Sequence, residues 1–189
     1  MTVNALLVCR MQNDFCDGGP VQYEETLTTI PLINRIRTKF DNVIFIKSSH
    51  PKDHVSFKEN GGTFPKHCIE DTYGAELNSG LIVEEKDNIV NIGTLSIYES
   101  YSGFYDAKTI GKKSSLEIIL SKKKITDIYL CGVELEGTIF STALDSLSFR
   151  YNTFIILDAC LCKNPKMKDK NAEHLSKMGS KIILSNSLL

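Results

Sequence analysis

Several features are scarce in this chain of 189 residues, and each scarcity excludes something. Net charge is scarce: 22 basic and 23 acidic residues leave −1. With no broad field of one sign, composition gives no reason to expect a nucleic-acid or acidic-membrane partner. Long apolar runs are absent, and none approaches the about 20 residues that a spanning helix needs. There is no internal repeat and no low-complexity tract. The six cysteines, at 9, 16, 68, 131, 160 and 162, form no CxxC pair. Cys160 and Cys162 are too close for an ordinary local bridge. Most of the thiols lie in apolar runs, where a reduced cysteine behaves as a small hydrophobe. No signal-like leader is visible, so the expected compartment is the cytoplasm or another reducing one.

What is present has the size and mix of a single globular domain over 1–189, with 42% apolar and 24% charged residues. The chain is organised around Cys131 to Thr142, CGVELEGTIFST. An apolar strand-like run, Ile125 to Cys131, turns through Gly132 and Gly137 into an apolar-periodic segment, Ile139 to Phe149. Such a turn presents one side chain, here Thr138, together with free backbone N–H groups at a sheet edge.

The remaining runs alternate strand and helix. Strands are predicted at Val3–Val8, Val43–Ile46, Ile89–Ile92, Thr153–Leu157 and Lys181–Leu184. Helices are predicted at Glu25–Phe40, Lys112–Leu120, Thr138 toward Arg150, and Asp169–Met178. Continuous apolar strands buried on both faces indicate a mostly parallel sheet in a three-layer α/β/α sandwich. Ligand sites in such sheets lie beyond the carboxyl ends of the strands. The long polar segment from Lys47 to Gly80 carries three of the four histidines, and a loop of that length is usually functional or disordered.

The segments that follow the strands resemble the nicotinamidase branch of the isochorismatase-like hydrolases. LLVCRMQNDFCDGG, SSHPKDHVSF, FPKHCIEDTYGAEL, NIGTLSIYESYSGFYD and GVELEGTIFSTALDS are similar to that family's motifs, in its order and at its spacing. The resemblance implies the isochorismatase-like fold and an oligomer or a partner protein. It also implies an Asp–Lys–Cys triad, whose positions hold Arg10, Ile92 and Thr138 in this sequence. The metal histidines of the family match His50 and His67. His54 matches a further histidine that is a ligand in some members, and Ser48 stands at the metal aspartate. Phe15, Phe64 and Tyr101 match positions beside the substrate ring. Val133–Glu134 matches a cis peptide in the nucleophile turn.

Amide hydrolysis at such a site needs a thiolate, a carboxylate that carries its proton, and a nearby cation. Thr138 offers an alcohol, which needs a strong base. Arg10 is permanently protonated and Ile92 is apolar. Cys16, in the Gly-rich loop, is the one other thiol within plausible reach, and no base is identifiable beside it. A protein without hydrolase activity, serving a binding, regulatory or structural role, is therefore the leading expectation. Two alternatives remain open. One is an active hydrolase of a small amide such as nicotinamide, by altered chemistry at Thr138 or a metal-bound water. The other is a sensor in which Arg10, near a helix N-terminus, holds a small anion. Against the last stands an ion pair of Arg10 with Asp14, Glu134 or Glu136 that plugs the pocket. His50, His54 and His67 could still hold a zinc-like divalent cation, at an affinity reduced by Ser48.

Overall fold

The computed structural model describes residues 2–189. Six parallel strands form the central sheet: β1 (Asn4–Cys9), β2 (Val43–Ser48), β3 (Asn88–Ile92), β6 (Asp127–Val133), β7 (Asn152–Leu161) and β8 (Lys181–Ile183). Their order across the sheet is β3-β2-β1-β6-β7-β8. Between β3 and β6 the chain makes a small antiparallel hairpin, β4 (Tyr105–Ala107) with β5 (Lys112–Lys113).

The alternation of side chains along β1 explains the three layers. Leu6 and Val8 point into one apolar cluster with Ile30, Ile33 and Ile36 of α1 (Thr26–Arg37). Ala5, Leu7 and Cys9 point into the opposite cluster. There they meet Leu116 and Leu120 of α2 (Leu116–Lys122), Ala143 of α3 (Phe140–Ser148) and Leu175 of α4 (Lys168–Lys177). A strand buried on both faces carries no polar alternation, which is why these strands read as continuous apolar runs.

Two elements differ from the sequence reading. The helix expected from Lys112 begins at Leu116, because Gly111 sits at φ 69 and turns the chain so that Lys112 and Lys113 pair with β4. Ser114 Oγ then accepts from Leu116 N at 3.1 Å and marks the true helix start. The strand expected to end at Leu157 runs on to Leu161. Its register with β6 shifts between Leu130 and Gly132, and Asp158, a polar residue that reads as a strand end, accepts from Ser185 instead. The Lys47 to Gly80 segment is ordered by short bridges, Gln12 to Leu77, His50 to Ile69 and Phe57 to Phe64. No helix is long and apolar enough to cross a membrane.

Strand order reverses between β1 and β6, so a crevice opens beyond their carboxyl ends. Arg10 leaves β1 there and Glu134 leaves β6.

Candidate functional site

Arg10 follows β1 directly and takes a left-handed backbone, φ 48. Its side chain is 6% exposed. One guanidinium nitrogen donates to the Ser100 carbonyl at 3.0 Å, and another lies 3.4 Å from Glu134 Oε1. The guanidinium carbon sits 5.5 Å from the Phe15 ring centre and 5.6 Å from that of Tyr101. Two cation–ring contacts therefore hold the guanidinium in place.

Glu134 is the anionic half of this filling. Its second oxygen accepts from the Tyr23 hydroxyl. Burial, and then the Glu134 charge, push the Tyr23 phenol well above its ordinary range, so it stays a donor. The carboxylate folds back over the turn Leu135–Ile139 that precedes α3. A Cβ at Gly137 would lie 2.1 Å from Glu134 Oε1, so only glycine leaves room for it. The bond Val133–Glu134 is cis.

Arg10, Phe15, Phe64, His67, Tyr101 and Glu134 thus line one crevice. Its free volume is about 10 Å³, space for about one water. Tyr23 and Glu99 also face it. Neither belonged to the residues singled out from sequence. Glu99 lies inside one of the quoted motifs, but Tyr23 lies outside all of them. Val133 is buried in the apolar cluster below.

Ile92 and Thr138 do not line the crevice. Ile92 is fully buried against the apolar cluster that includes Leu135 and Ile139. Thr138 is fully buried, and its Oγ1 has no hydrogen-bond partner. A hydroxyl with no acceptor within reach has nowhere to send its proton. Cys16 is 1% exposed in the apolar core, and burial raises its thiol pKa. It offers no substitute nucleophile.

The three histidines gather beneath the crevice. Ring centres of His50 and His54 are 4.1 Å apart, and those of His50 and His67 are 5.1 Å apart. His50 Nδ1 donates to the Gly93 carbonyl at 2.9 Å and His67 Nδ1 to the Pro65 carbonyl at 2.9 Å. Each therefore keeps an Nε2 lone pair. His54 does not: its Nδ1 accepts from Ser56 N, and its Nε2 donates to the Tyr98 carbonyl at 3.1 Å. Burial, then His54 and Arg10, push His50 down to about 2, and burial lowers His67 as well. Ser48 Oγ is buried without a partner and carries no charge. Among the described residues, no three His, Cys, Asp or Glu side chains converge to hold a metal ion. Two imidazoles, a hydroxyl and a nearby guanidinium do not fit a divalent cation.

Comparison with known proteins agrees with this architecture. The isochorismatase domain model matches residues 4–187. A nicotinamidase of Schizosaccharomyces pombe is 36% identical over 181 residues, covering 82% of this chain and 81% of that protein. A "probable inactive nicotinamidase" of Arabidopsis thaliana is 27% identical, covering 94% of this chain and 90% of that protein. Among solved structures, a pyrazinamidase of Pyrococcus horikoshii in complex with zinc superposes with TM-score 0.88 at 32% identity, covering 96% of this chain and 98% of that one.

Proposed function

The chain belongs to the isochorismatase family, and from that premise we propose that it is a nicotinamidase-like protein whose hydrolase reaction has been lost. On this reading Arg10, Ile92 and Thr138 stand where the reaction needs an acid, an ammonium and a thiol. The protein then serves a binding, regulatory or structural role, as a homo-oligomer or with a partner protein. The observation that carries the reading is the filled crevice: the Arg10–Glu134 pair leaves about 10 Å³ between Phe15, Phe64 and Tyr101. Thr138 Oγ1, without a base, supports the same reading from the chemical side. An anion-sensing role has less support, because the Arg10 charge already faces Glu134, and Glu99 adds a second carboxylate.

One observation favours a second reading. An identity of 36% to a nicotinamidase over most of both chains is compatible with an active enzyme of altered chemistry.

Ammonia release from nicotinamide, with metal content measured on the same preparation, separates the two. The expected result is no release above the uncatalysed background. Turnover above about 1 per second, abolished by Thr138→Ala, would overturn the proposal.

A further inference from the structure

We propose that a second cleft, beside the closed crevice, binds a small zwitterion of the α-amino acid class. The cleft lies where the chain leaves β7 and enters α4, facing the turn ahead of α1. Its volume is about 260 Å³, against about 10 Å³ for the crevice. That is just below the about 300–1,000 Å³ of drug-sized pockets, so a compact metabolite is the right scale.

The chemistry of its walls selects the ligand. Glu24 and Glu25 line one side, Lys163 and Lys168 the other, and Leu161 and Pro165 add an apolar surface. Among the described residues, none of these four charged side chains makes an ion pair, with each other or elsewhere. Lys163 is nonetheless anchored. Its Nζ donates to the Gln22 carbonyl at 2.7 Å and lies 5.1 Å from the Tyr23 ring centre. Its backbone N–H also donates to Glu136. These contacts tie the two walls together and hold the cleft at its width. Lys168 is then the cation left for a ligand, and Glu24 and Glu25 are the carboxylates.

Opposite charges that share a cleft without pairing leave a gap that a molecule bearing both signs can bridge. A simple anion would meet Glu24 and Glu25. A simple cation would meet Lys163 and Lys168. An α-amino acid satisfies both walls: its ammonium donates to a glutamate, its carboxylate accepts from Lys168, and a short apolar side chain rests on Leu161 and Pro165. Each end makes a charge-assisted hydrogen bond. This inference does not rest on the loss of hydrolase activity, since the two cavities are distinct.

Thermal melting and calorimetry on the full chain test it, with L-valine as the probe. Isobutylamine and isovalerate, which each keep one of its charges, are the controls. L-valine should raise Tm by a few degrees once its free concentration is about ten times its dissociation constant. Neither control should do so at the same concentration. Lys168→Ala and Glu24→Gln combined with Glu25→Gln should each weaken L-valine binding by about tenfold or more, with the unliganded Tm unchanged. The proposal is overturned by the absence of any shift up to the solubility of L-valine. Equal binding of either single-charge control, or undiminished binding in both sets of variants, overturns it as well.

Discussion

Replacing Arg10 with alanine isolates the filling of the crevice. The native side chain is 6% exposed and that of its Glu134 partner 14%. Removing it loses a charge-assisted bond to the Ser100 carbonyl, worth about 1.5–3 kcal/mol. It also loses two aromatic contacts of about 0.5–1 kcal/mol each or more. Against this, about 2 kcal/mol of side-chain entropy is recovered, and a buried guanidinium no longer needs desolvating. The larger effect falls on Glu134, left facing a void. Breaking a buried pair typically costs about 3–5 kcal/mol. Glu134 keeps the Tyr23 hydroxyl and some solvent, so the lower part of that range applies. The expected loss is about 3 kcal/mol, or a Tm drop of about 6–12 °C for a chain of this size. Urea unfolding of the wild type, Arg10→Ala, Glu134→Gln and the double variant measures it. The double variant should cost less than the sum of the singles. A loss under about 1 kcal/mol, the range of an exposed pair, would refute the reasoning, as would simple additivity.

Stability should also fall on mild acidification. The folded His50 is held at about 2 and His67 is lowered, whereas an unfolded histidine titrates near about 6.5. The unfolded chain therefore binds protons first, so this stability is complete above that pH and is lost as pH falls toward the folded value. Burial sets the direction, and the His54, Arg10 and His67 that face His50 push the same way. Unfolding measured with a chelator present should show a slope near about 1.4 kcal/mol per pH unit from His50 alone, before the carboxylates titrate. A flat profile from about pH 6.5 to about pH 5 would contradict the buried neutral imidazole. Gly137→Ala should destabilise by about 2–3 kcal/mol, because its Cβ displaces the Glu134 carboxylate. In a Glu134→Ala background the same change should be neutral or stabilising, as measured by urea unfolding. Native labelling with a maleimide, read by mass spectrometry, should modify Cys162 alone. The other five thiols are buried, and burial holds Cys9 up at about 12.

The parts legible in the sequence are those set by burial on both sides. β1, β2 and β6 read as apolar runs because each strand feeds two clusters at once. The β4–β5 hairpin was not legible, since β5 is only Lys112–Lys113 and no period can be read from it. Arg10, Phe15, Phe64, His67, Tyr101 and Glu134 could be gathered from motifs, and they meet in one crevice. Tyr23 could not, because its bond to Glu134 spans 111 positions and no local pattern announces it. The ion pair itself was legible only as three options, Asp14, Glu134 or Glu136. Geometry decides among them. Asp14 instead accepts from the Cys68 backbone, and Glu136 accepts from Lys163. Glu134 remains, with Gly137 giving it room.

The residues in and beside the crevice depend on one another. A guanidinium at position 10 needs a carboxylate within reach, and the fold-back of Glu134 supplies it. An ammonium at position 92 would have no place in the apolar cluster that Ile92 now completes with Leu135 and Ile139. Changing Arg10 or Ile92 alone therefore breaks existing contacts without completing others. An aspartate at 10 would confront Glu134 with a like charge at close range, which disfavours ionisation of both.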